Sequence, residues 1–155
     1  IANNLVSVYN GTGNKKEWEN ITMASTIGGM VINTAGVTIA HGMEHPASGL
    51  KDIVHGQGLA ALTPIVIEAS YKGNEEKFAK IAKIFGGESA ADCADKIREL
   101  LKSIDLECKL SDLGIAAEDI SWMAENCLKV SAASIANNPV VFTQEEIAEL
   151  YRKAL

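Results

Sequence analysis

Apolar residues recur at helical spacing along most of the chain, and this pattern predicts helices rather than strands. A short first helix should end at the glycine-containing segment 10–14, and a long helix of small residues should extend from Lys15 to about Ala40. Within the long helix, Gly28-Gly29 and Gly36 predict bends or close helix approaches. A strand is the main alternative because the segment contains β-branched residues, but apolar and polar residues do not alternate there.

Prolines shape the prediction for the middle of the chain. Because the residue before a proline is pushed out of the helical region, Pro46 is predicted to end its helix at a loop through Ser48-Gly49. A new helix is predicted from near His55 towards Tyr71, with a kink at Pro64. Asp52 precedes that helix and is predicted to be its N-cap.

The second half of the chain contains clear helix-start signals. Asn74 is predicted to cap a helix that ends at Gly86-Gly87, and Ser89-Ala-Ala-Asp92 is a variant capping box for the next helix. Another helix is predicted from about Ala117 to Val130. Thr143-Gln-Glu-Glu146 is a regular capping box and predicts the start of the last helix.

Together these elements predict an all-α fold, a helical bundle of about seven helices, in a single domain of residues 1–155. The composition fits one globular domain, since 47% of the residues are hydrophobic and 22% are charged. A net charge of −6 without any basic cluster argues against a nucleic-acid or anionic-membrane partner. No uninterrupted apolar stretch reaches the roughly 18 residues of a membrane span. The three cysteines form no C-x-x-C pair, so we expect buried free thiols in a reducing cytoplasm.

The first residue is Ile1 rather than an initiator methionine, and no signal peptide precedes it. The first predicted helix has only two turns, which is too short to be stable without packing partners. We therefore expect that the chain was cut out of a longer protein.

All three histidines of the chain fall in one short window, at His41, His45 and His55. Neutral imidazole is a good ligand for Zn, Fe, Cu and Ni, so a metal site is the first hypothesis. Spacing leaves the pairing open: His41 and His45 share a helix face, whereas His41 and His55 would converge from two helices. The alternative is a non-catalytic helical interaction module whose histidines only satisfy internal hydrogen bonds.

Four other residues that could belong to a site are expected to have only structural roles. Met43 is expected to pack in the core and Glu44 to lie on the solvated face of its helix. Trp18 and Trp122 are expected to anchor the core rather than to serve as stacking platforms.

The stretch from Gly36 to Ala60 contains His-Gly-Met-Glu-His-Pro followed by a His-Gly that opens the next helix. It closely resembles the signature of iron-containing (group III) alcohol dehydrogenases, and the features downstream of it are also similar. The resemblance implies the helical C-terminal domain of an enzyme that interconverts alcohols with aldehydes or ketones, with the N-terminal nucleotide-binding domain absent from the chain. A related Zn-dependent glycerol dehydrogenase or a dehydroquinate synthase-like enzyme is the alternative on the same scaffold.

The resemblance also implies a divalent metal, Fe²⁺ or Zn²⁺, held by one Asp and three His, and NAD or NADP as the hydride carrier. His41 and His55 match the two metal ligands of the signature, and His45 matches a histidine near the nicotinamide and the substrate. The other two ligands belong to a D-x-x-x-H helix that this chain does not contain, so the chain alone is expected to be inactive.

Ile32 and Asn33 are candidates for the substrate pocket wall. The implied partners are a small alcohol or aldehyde and the missing domain. An apolar cleft wall that is exposed without that domain would also allow copies of the chain to associate as a homo-oligomer.

Overall fold

The computed structural model describes residues 1–155 and contains nine α-helices, four short 3-10 segments and no strand. The helices are α1 (Leu5–Tyr9), α2 (Lys15–Ala35), α3 (Ile39–Lys51), α4 (His55–Ser70), α5 (Glu75–Ile84), α6 (Cys93–Ser103), α7 (Ile120–Val130), α8 (Ala132–Ala136) and α9 (Gln144–Ala154). The predicted all-α fold is confirmed. The two helices beyond the predicted seven are α3, which is separate from α2, and the short α8.

The long helix predicted from Lys15 to about Ala40 is divided at Gly36. This glycine has a φ of 71° and its N–H bonds to the carbonyl of Ile32, so it ends α2 in a conformation that other residues rarely adopt. The bend predicted at Gly36 is therefore confirmed. Gly28-Gly29, in contrast, lies inside a continuous helix with no neighbouring atom within 4 Å of an added Cβ, so no close approach of another element is observed there.

Pro46 does not end its helix, because α3 continues through it to Lys51 and makes the predicted loop at Ser48-Gly49 helical. A proline removes the N–H that would bond to the carbonyl four residues earlier, which here belongs to Gly42. The Gly42 carbonyl instead lies 3.4 Å from the Ser131 hydroxyl, which donates to it. The lost helical bond is thus replaced by a contact from a distant part of the chain.

Asp52 ends α3 and does not cap α4 as predicted. It adopts a left-handed φ of 53°, and its N–H donates to the carbonyl of Ser48 at 2.8 Å. The N-cap of α4 is Val54, which is extended. This short turn brings α4 back against α3, and α4 then runs from His55 through Pro64 as one helix.

The helix starts predicted in the second half of the chain are confirmed. The Asn74 side chain accepts from the Lys77 N–H at the start of α5, and both predicted capping boxes are present before α6 and at the start of α9. The core forms where α3, α4, α7 and α9 meet. The largest side chains that are fully buried there are Ile39, Met43, Leu62, Leu110, Met123, Ile147 and Tyr151.

The two tryptophans lie at the surface, and the prediction that they anchor the core is wrong. Trp18 is 54% exposed and Trp122 is 47% exposed. Trp18 belongs to α2, which has no buried residue although it contains several large apolar side chains. Helical periodicity shows which residues share a face but cannot show whether another element covers that face.

A helix must be both long and apolar to cross a membrane. No single helix has enough of both to cross a membrane, although α2 and α3 together would meet the length and composition criteria across a bend of 100°.

The Tyr151 hydroxyl joins the last helix to α3 through a buried hydrogen bond to the carbonyl of Met43, at 2.5 Å. Burial raises the pKa of Tyr151, so the hydroxyl stays a donor. We expect Tyr151→Phe to lower the free energy of unfolding by about 1 kcal/mol, because it leaves a buried carbonyl without this donor. Denaturant unfolding followed by circular dichroism measures the change. Tyr9→Phe removes an exposed hydroxyl and is the control; an equal loss in both variants would contradict the role of Tyr151.

Candidate metal centre

The three histidines meet where α3 lies against α4. His41 and His45 occupy successive turns of α3, and His55 is the first residue of α4. The ring centroids of His41 and His55 are 5.4 Å apart, those of His45 and His55 are 5.8 Å apart, and those of His41 and His45 are 6.2 Å apart. All three residues that the sequence singled out therefore form one cluster.

The spacing of the rings fits imidazoles that share one ion. A histidine nitrogen lies about 2.1 Å from a bound divalent metal, so two coordinating rings have centroids on the order of 5 Å apart. His41 and His55 are the closest pair of the three. Donor atoms of Glu44, His45 and His55 also lie within 4.8 Å of one another, so distance alone permits a second donor set that leaves out His41.

Glu44 is a buried carboxylate, and the prediction that it lies on a solvated face is wrong. Its side chain is 0% exposed. One carboxylate oxygen accepts a hydrogen bond from the Ser48 hydroxyl, and the other pairs with Nδ1 of His55. Removing a charge from water is costly unless it is paired and hydrogen-bonded, and these two partners provide that compensation. Through these contacts Glu44 joins Ser48 and the His55 ring.

Gly58 provides the space that Glu44 occupies. A Cβ added at Gly58 would lie 2.8 Å from Cγ and 2.9 Å from Oε1 of Glu44, which is too close for any real side chain. The glycine therefore permits α4 to pack directly on the carboxylate. The sequence did not predict the role of Glu44, because no local pattern places His55 and Gly58 of the next helix beside it.

His41 is partly buried, and loss of solvent is the largest cause that lowers its pKa. The neighbouring His55 and His45 lower it further, whereas Glu44 acts in the opposite direction. A lowered pKa keeps the imidazole neutral near pH 7. Neutral imidazole is the form whose nitrogen lone pair can bind a cation.

The other two histidines are more accessible, which leaves one side of the cluster open. The His55 side chain is 52% exposed although its Nδ1 contacts the buried Glu44. Its Nε2 is therefore the ring nitrogen that remains for another ligand. His45 is also exposed, as are Ile32 and Asn33 near the end of α2. The roles of these last two residues as a substrate pocket wall stay a prediction.

A separate cavity of about 540 Å³ lies between α4, α6 and α9 and is lined by residues that include Arg98, Cys108 and Lys153. None of its lining residues is a histidine. The histidines to which the sequence analysis assigns metal chemistry therefore lie at the junction of α3 and α4 and outside this cavity. Cys108 is partly exposed, whereas Cys93 and Cys127 are buried free thiols as expected.

Sequence comparison relates the whole chain to known enzymes. The family model described as "Fe-containing alcohol dehydrogenase family, C-terminal" matches residues 1–155. The 1,3-propanediol dehydrogenase of Citrobacter freundii is 37% identical over 162 residues, which cover 99% of this chain and 41% of that protein. Alcohol dehydrogenase 4 of Saccharomyces cerevisiae is 28% identical, with 99% of this chain and 41% of that protein covered. The chain thus spans about 41% of the length of these relatives.

Solved structures show the same likeness in three dimensions. A crystal structure of 1,3-propanediol oxidoreductase has a TM-score of 0.89 at 34% identity, covering 99% of this chain and 42% of that one. The archaeal halo-thermophilic Red Sea brine pool alcohol dehydrogenase ADH/D1 has a TM-score of 0.90 at 31% identity, covering 99% of this chain and 41% of that one. The similarity therefore extends over the whole helical arrangement and not only over the histidine motif.

Proposed function

Because the chain belongs to the iron-containing alcohol dehydrogenase family and corresponds to its C-terminal region, we propose that it is the metal-binding helical domain of an enzyme that interconverts alcohols with aldehydes or ketones. The observation that carries the proposal is the convergence of His41, His45 and His55 on one open cluster. A nucleotide-binding domain that supplies NAD or NADP is part of the proposal, since the matched relatives are more than twice as long.

We assign His41 and His55 to the metal, Fe²⁺ or Zn²⁺. Three features support this choice: their rings are the closest pair, the lowered pKa keeps His41 neutral, and Nε2 of His55 remains free. Glu44 is not assigned as a ligand because it is fully buried and contacts Nδ1 of His55, on the opposite side of that ring from Nε2. The remaining Asp and His ligands would come from a D-x-x-x-H helix outside these 155 residues.

When bound, such a metal supplies Lewis acidity that lowers the pKa of an alcohol hydroxyl, and NAD(P)⁺ accepts the hydride. We assign His45 to catalysis and to the nicotinamide end of the cofactor. It is exposed, and its ring stacks 5.8 Å from that of His55, so it can take up the hydroxyl proton and pass it to solvent. Ile32 and Asn33 are assigned to the wall of a pocket for a small alcohol or aldehyde.

The proposal extends to partners and location. The exposed apolar side chains of α2 form a surface on which the nucleotide-binding domain or another copy in a homo-oligomer would pack. The net charge of −6 disfavours nucleic acid and anionic membranes as partners. All three cysteines are free thiols, and free thiols are typical of proteins in the reducing cytoplasm, which is the proposed location.

We expect the 155-residue chain alone to show no NAD(P)-dependent oxidation of 1,3-propanediol or simple primary alcohols, because it contains neither the other ligands nor a dinucleotide motif. A natural polypeptide that also carries the nucleotide-binding domain should turn over at least one of these alcohols when loaded with Fe²⁺ or Zn²⁺. Absorbance of the reduced nicotinamide measures both rates. Turnover by the 155-residue chain would contradict the assignment of essential groups to other parts of the polypeptide. Absence of turnover by the longer protein across primary alcohols and polyols would contradict the proposed activity.

A further inference from the structure

We propose that Glu44 is the positioning residue of the metal centre: it holds Nδ1 of His55 and thereby aims Nε2 of the same ring at the metal. This inference rests on the proposed function, because it gives Glu44 a role that acts through a metal ligand. It assigns to the carboxylate neither a bond to the metal nor a bond to the substrate.

The burial of Glu44 is the first observation that carries the inference. The side chain is 0% exposed, whereas the His55 side chain that it pairs with is 52% exposed. Burying a carboxylate is unfavourable unless the group is fully hydrogen-bonded, so its position is fixed by the surrounding helices. The buried carboxylate therefore orients the more exposed ring of His55.

The identity of the contacting nitrogen is the second observation. A carboxylate accepts a hydrogen bond, so its contact with Nδ1 of His55 favours the tautomer that carries the proton on Nδ1. In that tautomer the lone pair lies on Nε2, which is the atom that faces away from Glu44. Histidine ligands of metals usually donate their other N–H in this way, and such partners fix the tautomer and the ring orientation.

The third observation is that the residues around Glu44 are adapted to it. The Ser48 hydroxyl bonds to one carboxylate oxygen and lies 3.2 Å from the carbonyl of Ile53, in the turn that leads into α4. Gly58 leaves room for the carboxylate on the other side, since any Cβ would collide with it. The carboxylate is thus held by Ser48 of α3 and by His55 at the start of α4, and Ser48 is itself in contact with the turn between the two helices.

The test measures metal affinity in the longer natural polypeptide that contains these residues, using Co²⁺ as an optical probe and Zn²⁺ by competition. Glu44→Gln keeps the shape of the side chain but removes its charge, and we expect it to weaken affinity roughly 10- to 100-fold. Glu125→Gln makes the same change at an exposed position on α7 and should leave affinity unchanged. Equal affinity in wild-type and Glu44→Gln protein would overturn the inference.

A second readout does not depend on metal. In metal-free wild-type protein, ¹⁵N NMR of the imidazoles should show His55 protonated on Nδ1, and in Glu44→Gln this tautomer should be less populated. A purely structural role for Glu44 would lower stability without changing the tautomer. A His55 that carries its proton on Nε2 in the wild type would overturn the inference even if Glu44→Gln does not fold.

Gly58→Ala perturbs the same carboxylate without replacing it. We expect it to weaken metal affinity, and its effect should be less than additive with that of Glu44→Gln because both act on one contact. Gly56→Ala is the matched control in the same helix, since a Cβ there meets no atom within 4 Å. Full additivity, or an equal effect of Gly56→Ala, would overturn the inference.

The outcomes separate this inference from the proposed function. If the wild-type protein binds none of Co²⁺, Fe²⁺ and Zn²⁺, this result contradicts the proposed function itself. A wild-type protein that binds metal, with a crystal structure showing an oxygen of Glu44 bonded to the ion, contradicts only the positioning role.

Discussion

Replacing His55 with alanine in the longer polypeptide is expected to remove the metal and, with it, NAD(P)-dependent turnover. His55 combines the shortest ring distance to His41 with an Nε2 that the Glu44 contact leaves free. Loss of a direct ligand should weaken affinity by more than about 100-fold, beyond the range typical of groups that act through a ligand. We expect the same result for His41→Ala. Metal content after dialysis, measured by plasma mass spectrometry, tests both variants.

His45→Ala provides the contrast, because we assign this residue to proton transfer and not to the metal. The variant should retain its metal while the turnover rate falls roughly 10²- to 10⁴-fold, which is the usual contribution of a general acid or base. Equal metal content in the His41, His45 and His55 variants would contradict these assignments. Loss of metal from His45→Ala alone would instead favour the donor set that contains Glu44 and His45.

Replacing Leu62 with alanine is expected to lower the free energy of unfolding by about 2–5 kcal/mol. Leu62 is 0% exposed and lies two turns after His55 on α4, where it packs in the core. Its removal deletes buried apolar contacts and leaves a cavity that the closely packed helices can fill only in part. The free energy of unfolding of a folded domain is only about 5–15 kcal/mol, so this single change removes a large fraction of it.

Denaturant unfolding of the Leu62→Ala variant, with the midpoint and slope fitted separately, measures this loss. Val141→Ala is the control, since Val141 is 68% exposed and its truncation should change the free energy by no more than about 0.5 kcal/mol. A Leu62→Ala variant as stable as the control would contradict the position of α4 in the core.

The features predicted correctly from the sequence depend on short-range interactions. The capping box at Thr143 and Glu146 and the cap at Asn74 involve side chains within one helical turn, so the local residues determine the helix start. Gly36 ends α2 for an equally local reason, its positive φ. The helix α7 could be predicted because its apolar residues recur at helical spacing.

The errors depend on contacts between residues that are distant in sequence. Pro46 was predicted to end its helix because the sequence does not show that Ser131 would bond to the carbonyl left without a donor. Trp18 was predicted to be buried because its helix contains many apolar residues. The sequence does not show that no other element covers this helix. Glu44 was predicted to be solvated because its partner His55 lies on another helix.

The candidate site was predicted in part. The clustering of the three histidines indicated a metal, but their spacing left the ligand pair open, and the choice of His41 with His55 came from the resemblance to the family. The structure adds the distances among the rings and the role of Glu44, which no local pattern indicated. The contact between Glu44 and His55 requires α3 and α4 to pack against each other, with Gly58 leaving room for the carboxylate.

An anomalous difference map, recorded at the absorption edge of the bound metal from crystals of the metal-loaded longer polypeptide, tests the ligand assignment most directly. We predict a single ion between α3 and α4, about 2.1 Å from a ring nitrogen of His41 and from Nε2 of His55. An ion that is coordinated by His45 or Glu44 while His41 lies outside its coordination sphere would contradict the assignment, as would the absence of any ion between these two helices.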